Sequence, residues 1–491
     1  MSSKIRPLWA NFTYFEHQID GINWMLDKEI NGTSVPDRNT KTKKERLIRG
    51  GFQCDDMGLG KTIQIASVIV NNPLPSTLLL VPLAMIDTWS GVLLKAGCAV
   101  YEISKSGDWI LRNDGEDYGD VEPVHKSAVY ISNYEKLSFK SHLFNCEWDR
   151  IVLDESHKIR NGDSDVSKKA RKLKASIRWA VTGTPLVNSL KDIVSQLAFL
   201  GVDYSPLWRW EPRYLRIIPK ILIHRSLDSL RSVIKDAPPI PEIHNINIPF
   251  STKEEEEFYL GVQGAVTEGL ANKYRYDLLN AREAFILLLR LRQISVHPQV
   301  YINAKRREGA YHRDDWGSSS TKLTKIKEII ERDDDSNTHK YIIFCQFNDE
   351  MSLIHDFLVE NNIVADENIL HYKGSMTQRE RGLVLTRSKE TTDTTVMLLQ
   401  LQAGGVGLNL QEYDRILFMS PWWTSALMDQ AIARAVRMGQ KQCVKVYHLR
   451  LAAEHETAIN IDTLINDKAD EKRKMQRKLF SQCPFMPVTD G

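Results

Sequence analysis

The stretch Asp55-Asp56-Met57-Gly58-Leu59-Gly60-Lys61-Thr62 constrains this chain more than any other. It joins the short segment Gly50-Gly51-Phe52-Gln53-Cys54 to the apolar-periodic run from Ile63 to Val70. A glycine-rich turn that opens a helix aims backbone N–H groups and the positive end of the helix dipole at an anion. Asp56, Met57, Gly58, Leu59, Gly60, Lys61 and Thr62 therefore predict a phosphate cradle. In such a cradle Lys61 reaches the β and γ phosphates and the Thr62 hydroxyl can ligate Mg²⁺. Asp55 stands where the strict P-loop pattern has glycine, and a plain strand-to-helix turn would show the same glycines, so the rest of the chain has to decide.

A chain of 491 residues exceeds what one hydrophobic core serves, so two or three domains are expected. Apolar runs such as Thr77 to Ile86 and Ala284 to Leu289 fall short of the roughly 20 residues that cross a bilayer, and Met1 to Asn11 has no signal-peptide core. The expectation is a protein without a membrane partner. Cys54, Cys98, Cys146, Cys345, Cys443 and Cys483 form no Cys-x-x-Cys pair and have no His at ligand spacing, which predicts a reduced, intracellular protein without structural zinc. With a net charge of only +2, any nucleic acid must be held by a local groove rather than a global field.

Phe15 to Leu26 reads as an amphipathic helix with Phe15, Ile19, Ile22, Met25 and Leu26 on one stripe. Residues 31–49 are polar and basic, like a surface insertion. Thr77–Val81, Ala128–Ile131, Arg150–Leu153 and Trp179–Val181 are short apolar runs of the kind that form buried parallel strands. Helical spacing takes over between about 190 and 300, followed by a polar stretch at about 303–320 that reads as a mobile linker. Strand-like runs return at Tyr341–Cys345, Val396–Leu399, Arg415–Met419 and Val444–Tyr447, without a second cradle. The fold class is α/β, two parallel-sheet lobes separated by helices. The mixed-charge stretch Asp467 to Lys478 reads as a solvated helix.

Val152-Leu153-Asp154-Glu155-Ser156-His157 ends an apolar strand in two carboxylates. Beside a cradle, the first holds Mg²⁺ directly or through water and the second accepts a proton from the attacking water; an acidic pair capping a strand end has the same appearance. Thr182-Gly183-Thr184-Pro185 follows a strand and puts hydroxyls within reach of that loop or of a DNA phosphate, although most such turns are only turns. In Gln430 to Gln440, Arg434 and Arg437 lie three apart, as two residues on one helix face do. Such a pair can clamp a γ phosphate, and surface arginines on a helix share the spacing.

Taken in order, these motifs resemble those of the helicase-like ATPases of superfamily two, and specifically the Swi/Snf family of DNA translocases. The resemblance runs from about residue 14 to 465. His17-Gln18 with Gly21 and Trp24-Met25 is similar to the family's adenine-reading segment, and Asp55 to Thr62 to its Asp-Glu-Met-Gly-Leu-Gly-Lys-Thr. Leu80-Val81-Pro82-Leu83 with Trp89, and Ser132-Asn133-Tyr134-Glu135, resemble segments that touch the DNA backbone. Asp154 to His157 is similar to the Asp-Glu-Ala-His box, with Ser156 for Ala. In the second lobe Ile343–Phe347, Tyr372–Met376, Ala403–Leu410 and Pro421-Trp422-Trp423 match family segments. Departures are Val187 for Gln, Ala433 for an acidic residue, Val436 for His, and Gln400 and Gln402 for Ser and Lys.

The resemblance implies RecA-like lobes at residues 1–200 and 319–465, a helical protrusion and linker at 201–318, and a C-terminal helix and tail at 466–491. It implies ATP with Mg²⁺ as cofactors. Gln18, Asp56 to Thr62, Gly407, Arg434 and Arg437 would bind the nucleotide, Thr62 and Asp154 the metal, and Lys61, Asp154, Glu155, Arg434 and Arg437 would catalyse. The DNA contacts it implies are Pro82, Leu83, Ser132, Asn133, Tyr134, Thr184, Gln346, Gly374, Ala403, Gly404 and Trp423. Trp422 and Trp423 are expected to pack beneath a DNA-facing loop rather than stack on bases. The implied activity is ATP-driven translocation of a monomer on double-stranded DNA, with a nucleosome or RNA polymerase as load, in the nucleus or in a viral factory or virion. A strand-separating helicase, a polymerase-bound release factor with weak ATPase and an RNA-driven motor are the alternatives. The branch resembled is that of helicase-like transcription factor, the yeast post-replication repair ATPases and the lodestar-type terminator, without the RING that several repair members carry.

Overall fold

Short aliphatic runs alternating with helices become parallel strands, because the crossover helix returns the chain to the edge from which the previous strand started. The computed structural model describes residues 5–36, 45–104, 107–113, 124, 127–138, 146–202, 212–234, 237–275, 281–309, 311–318, 320–332, 338–404, 408–452 and 460–481. The chain divides into two compact units, Met1–Ala237 with Lys472–Gly491, and Pro238–Glu471. Among the described residues no helix is long and apolar enough to cross a membrane.

In the first unit Thr33–Pro36 and Glu45–Ile48 form a two-stranded antiparallel ribbon, and the main sheet holds the strands β1 (Gly50–Gln53), β2 (Ser76–Val81), β3 (Ala99–Ile103), β4 (Trp109–Leu111), β5 (Ala128–Asn133), β6 (Glu147–Asp154), β7 (Lys174–Val181) and β8 (Leu222–Ile223). They pair in the order β8-β1-β7-β6-β2-β5-β3-β4, parallel throughout except for the β3–β4 pair. Successive residues serve opposite faces: Leu78 and Leu80 enter one core, Leu79 and Val81 the other. The register places Gln53 opposite Val181, Val181 opposite Asp154, and Leu80 opposite both Leu153 and Ser132. The loops that follow β1, β7, β6, β2 and β5 therefore leave the same edge of the sheet.

Helix α1 (Glu16–Ile30) and helix α2 (Lys61–Asn71) pack on one face of this sheet, and α3 (Lys191–Phe199) contributes to the core on the other. The face that α1 buries differs from the expected stripe. Phe15 and Ile19 are exposed, while His17, Gln18, Gly21 and Glu29 are buried with Ile22, Met25 and Leu26. Hydrogen bonding explains the exchange. Glu29 has no exposed side-chain surface, and its carboxylate takes Arg150 Nε at 2.7 Å, Arg150 Nη2 at 2.5 Å, Trp179 Nε1 at 2.8 Å and Asn72 Nδ2 at 2.7 Å. One carboxylate thus pins α1 to β6, β7 and the end of α2.

The second unit opens with β9 (Glu242–Ile248), then the helices α4 (Lys253–Arg275), α5 (Ala281–Val296), α6 (Pro298–Arg307) and α7 (Thr321–Arg332). Its remaining strands are β10 (Lys340–Cys345), β11 (Ile369–Tyr372), β12 (Thr395–Gln400), β13 (Arg415–Phe418) and β14 (Lys445–Leu451). The order is β9-β14-β13-β10-β12-β11, all parallel. Helix α8 (Ser425–Ile432) follows β13, and α9 (Ile461–Phe480) follows β14. Strand β9 lies inside the stretch expected to be helical. In Glu-Ile-His-Asn-Ile-Asn-Ile burial alternates only over the last three residues, and as an edge strand it buries little beyond Ile248, so its apolar signal is weak. The stretch expected as a mobile linker is helical up to Arg307. Beyond it, Asp315 accepts from Gln299 Nε2 at 2.8 Å and Arg306 Nη1 at 2.6 Å, and Trp316 stacks on Phe258.

Glu29→Gln would leave Arg150 buried without its counter-charge, which costs about 3–5 kcal/mol in systems of this kind. Urea unfolding followed by the fluorescence of the first unit should show a loss of that order, and an unchanged midpoint would contradict the anchoring role given to Glu29.

Candidate active site

The turn after β1 is shaped by left-handed backbone at Gly58 (φ +87°) and Gly60 (φ +79°), a conformation that glycine reaches without a Cβ clash. Gly60 is also the cap from which α2 starts at Lys61, so the first N–H groups of α2 point out of the turn. Lys61 Nζ folds back over it and donates to the carbonyls of Asp55 (2.7 Å) and Asp56 (3.1 Å). A Cβ placed on Gly183 would lie 3.5 Å from both Lys61 Nζ and the Asp55 carbonyl, which sets the Thr182–Pro185 turn directly over the cradle. Thr62 is half-buried at the start of α2. Met57 and Leu59 complete the turn, Leu59 with its side chain buried.

The start of α1 rests on this turn. Gln18 Nε2 donates to the Leu59 carbonyl at 3.4 Å, Gln18 Oε1 accepts from Phe15 N at 3.2 Å, and His17 Nε2 lies 3.1 Å from the Leu59 carbonyl. A side chain at Gly60 would collide with Gln18, whose Nε2 sits 2.5 Å from where the Cβ would be. Burial pushes the His17 imidazole below its ordinary range, against the pull of the Leu59 carbonyl.

Asp55 and Asp56 do different work. Asp55 is fully buried and turned away from the cradle, paired with Arg225, whose Nε donates to Oδ1 at 3.0 Å and whose Nη2 bonds Oδ2. Gln53 Nε2 (2.7 Å) and Gln64 Nε2 (3.0 Å) donate to the same carboxylate. Arg225 also reaches the His17 carbonyl and, at 2.9 Å, Gln64 Oε1. Burial alone would raise the Asp55 carboxyl, but Arg225 and the two amides hold it below the usual range. Arg225 is the functional residue that sequence reasoning missed. A lone carboxylate at a buried strand end demands a cation, but nothing in the sequence selects Arg225 among 65 Lys and Arg residues. Asp56 instead accepts from Leu227 N at 3.0 Å, and its carboxyl is raised by burial.

Asp154 is the last residue of β6. Its Oδ2 accepts from Trp89 Nε1 at 2.8 Å, its Oδ1 from Glu155 N at 3.0 Å, and its carbonyl from the Tyr134 hydroxyl at 2.5 Å. Burial, then the adjacent Glu155 charge, push the Asp154 carboxyl up to about 6. Glu155 itself sits at φ +50°, a left-handed conformation that a non-glycine residue adopts only under local constraint. His157 Nδ1 lies 3.2 Å from both Glu155 Oε2 and Thr182 Oγ1, and Thr182 Oγ1 accepts from Thr184 N at 3.1 Å. A second link runs beside it: Ser156 Oγ donates to Gln196 Oε1 at 2.7 Å, and Gln196 Nε2 donates to the Pro185 carbonyl at 2.9 Å. The serine that departs from the expected box thus holds the Thr182–Pro185 turn.

Of the residues expected to meet DNA in the first unit, Leu83 is exposed, whereas Ser132, Asn133, Tyr134 and Thr184 are buried. Asn133 Oδ1 caps the turn that follows β5 by accepting from Lys136 N at 3.1 Å, and the Pro82 carbonyl accepts from Met85 N at 2.8 Å. In the second unit, Gln346 and Gly374 leave the carboxyl ends of β10 and β11. Gln400 joins that edge together, accepting from Gly374 N at 2.8 Å and donating to Asn348 Oδ1 at 2.9 Å. Ala403 and Gly404 lie in the short helix Leu401–Gly404 after β12, and Gly407 lies outside the described residues. Trp422 and Trp423 are half-buried against Arg292, whose Cζ stands 4.8 and 5.9 Å from their ring centroids. Burial lowers the Arg292 guanidinium to about 10.

Arg434 and Arg437 do not share a helix face. Helix α8 ends at Ile432, and both arginines occupy the tight turns beyond it. The Arg434 carbonyl is taken by Leu410 N at 3.1 Å instead of continuing the helical ladder, and Arg437 Nη1 donates to the Leu408 carbonyl at 3.4 Å. Arg434 is buried, and burial lowers the Arg437 guanidinium.

The chain is similar to known proteins over most of its length. Residues 17–300 match the SNF2-related domain and residues 321–439 the helicase conserved C-terminal domain. The "Probable global transactivator" of Orgyia pseudotsugata multicapsid polyhedrosis virus is 26% identical over 486 residues, which is 95% of this chain and 91% of that protein. The "Putative ATP-dependent helicase/translocase YwqA" of Bacillus subtilis is 26% identical over 93% of this chain, and "DNA repair protein RAD5" of Gibberella zeae 23% over 88%. The chain spans about half the length of these two cellular relatives, 48% and 55%. A solved structure of a "Sulfolobus solfataricus SWI2/SNF2 ATPase core in complex with dsDNA" aligns with 98% of this chain and all of that one at 21% identity and a TM-score of 0.39. Since the SNF2-related domain match alone takes in more than half of its residues, the chain belongs to the SNF2-related family of helicase-like ATP hydrolases.

Proposed function

We propose that this protein is an ATP-driven translocase on double-stranded DNA that displaces or remodels proteins bound there. The observation that carries the reading is the double hydrogen-bonded link between the Asp154–Glu155 loop and the Thr182–Pro185 turn. One of these segments holds the reacting carboxylates, and the other carries Thr184, which resembles a DNA-contacting residue of the family. A change at one is transmitted to the other through His157, Thr182, Ser156 and Gln196.

In this reading Gln18 reads the base, the N–H groups of the turn and Lys61 hold the phosphates, and Glu155 orients and deprotonates the attacking water. Asp154 and Thr62 would hold Mg²⁺, which when bound neutralises charge on the transferring phosphoryl group. The residues fit that ion, because burial and then the neighbouring Glu155 charge push the Asp154 carboxyl up to about 6, a cost that a divalent cation relieves. Arg434 and Arg437 would supply the positive charge that the transition state gains, as an arginine finger does. DNA would be gripped by its backbone, with little sequence information. Because Ser132 and Tyr134 are buried, their segment would meet phosphate through main-chain groups and through exposed neighbours such as Leu83 near Pro82. Gln346, Gly374, Ala403 and Gly404 would form the corresponding contacts of the second unit, with Trp423 supporting them through Arg292. A nucleosome or an RNA polymerase is the kind of load such a motor would move.

The direct test is the ATPase rate with double-stranded DNA, single-stranded DNA, RNA and no nucleic acid. Duplex DNA should stimulate most, without unwinding of a forked duplex; stimulation by RNA alone would overturn the proposal. Lys61→Ala should abolish turnover with the fold intact, and Arg437→Ala should cost on the order of 10³-fold in rate while sparing ATP binding.

The acid limb of the pH–rate profile should fall near pH 6, where the Asp154 carboxyl takes up its proton. A proton and Mg²⁺ would compete for the same carboxylate, so raising Mg²⁺ should move that limb to lower pH. A limb indifferent to Mg²⁺ would remove Asp154 from the metal site.

A further inference from the structure

At the opposite end of the first sheet from the cradle, where β1 and β7 begin, a pocket of about 310 Å³ opens between the segment before β1, the start of β7 and the residues after α3. Among the described residues that line it, four are Arg46, Arg49, Arg171 and Arg178, and none is Asp or Glu. Arg46 and Arg49 close the basic run that begins at Lys41, which the nucleotide site leaves unused.

Three of the guanidiniums are held in place. Arg178 donates through Nη1 to the Phe199 carbonyl at 2.9 Å and through Nη2 to the Leu173 carbonyl at 2.6 Å, and it lies over the Phe199 ring. Arg49 Nη1 donates to the Glu29 carbonyl at 3.1 Å and Arg171 Nη2 to the Gly162 carbonyl at 2.8 Å. The carbonyls that hold Arg178 and Arg49 are neutral and fix orientation without cancelling charge, and each guanidinium carries five donors. Gly201 forms part of the floor, with Arg46 Nη2 3.8 Å from where a Cβ would stand.

We propose that this pocket binds a phosphate-class anion. Burial, and after it the charge of Arg46, lowers the Arg178 guanidinium, so two like charges face each other across a partly desolvated space. A tetrahedral oxyanion relieves that repulsion, and planar guanidinium forks match its oxygens two at a time. The anion is either a free phosphate compound or a backbone phosphate of nucleic acid, and the pocket lies away from the edge that carries the cradle.

The test uses the whole chain with ADP saturating the cradle, titrated with pyrophosphate by calorimetry, and in parallel with a short duplex over a range of salt. Arg46 is exposed, so Arg46→Ala should melt like wild type. If the site takes a free phosphate compound, Arg46→Ala and Arg171→Ala each weaken pyrophosphate binding tenfold or more. If it takes nucleic-acid phosphate, they weaken duplex binding and reduce its log–log salt slope by about one per arginine, and pyrophosphate competes with the duplex. Either loss supports the proposal. Unchanged affinity for both probes in both variants, or no pyrophosphate binding by wild type together with an unchanged duplex slope, overturns it.

Discussion

A carboxylate cut off from water needs either a proton or a cation, and Asp55 has Arg225. The two lie 170 residues apart in the chain, and their side chains are 0% and 3% exposed. Through this pair the end of β1, the residues after β8, the first turn of α1 by way of the His17 carbonyl, and α2 by way of Gln64 meet at one point behind the cradle. Gly21 belongs to the same knot, since a side chain there would collide with Gln64 Oε1 and Arg225 Nη2. Buried ion pairs are seldom strong sources of net stability, because desolvation offsets the attraction, yet removing one partner costs several kcal/mol. The pair therefore acts chiefly on position. It fixes where the glycine turn sits relative to the segment that resembles the family's adenine reader.

The parallel register does the corresponding work for the Asp154–Glu155 loop. Because Gln53, Val181 and Asp154 lie in one row, the three loops that follow them are neighbours, and short side chains suffice to connect them. His157 and Thr182 make one connection, Ser156 and Gln196 the other. Side-chain bonds of this kind are local and directional, so a shift in one loop is passed to the next. The left-handed backbone of Glu155 adds to this, holding the second carboxylate in a conformation that the surrounding bonds must maintain. The acidic pair that follows β10, Asp349-Glu350, lies instead inside the helix Asn348–Glu360, where Glu350 Oε2 accepts from Gln346 N at 2.6 Å and Phe347 N at 2.9 Å.

Much of this was legible in the sequence, for identifiable reasons. Buried parallel strands are continuous aliphatic runs, so β2, β5, β6, β7, β10, β12, β13 and β14 announced themselves, and the glycine turn did so by its spacing. Edge strands did not: β9 is mostly polar and exposed, and β8 is two residues long. The apolar stripe of α1 was misread because its buried face is largely polar, made of His17, Gln18 and Glu29, whose partners are distant in sequence. Helix α8 ends at Ile432, and beyond it the Arg434 carbonyl accepts from Leu410 N, a long-range contact that periodicity cannot foresee. Trp422 and Trp423 pack against the buried Arg292, a long-range cation–ring contact that the sequence did not indicate. Arg225 was invisible for the most general reason, that a long-range ion pair leaves no local pattern.

The central claim, that the Asp55–Arg225 pair positions the nucleotide cradle, separates stability from binding and can be tested on that basis. Equilibrium ATP binding and urea unfolding should be measured for Arg225→Met and for Arg225→Met combined with Asp55→Asn. The single variant, with a buried carboxylate left unpaired, should lose both stability and ATP affinity. In the double variant no charge is stranded, so stability should largely return while ATP affinity stays low. Wild-type ATP affinity in either variant would contradict the account.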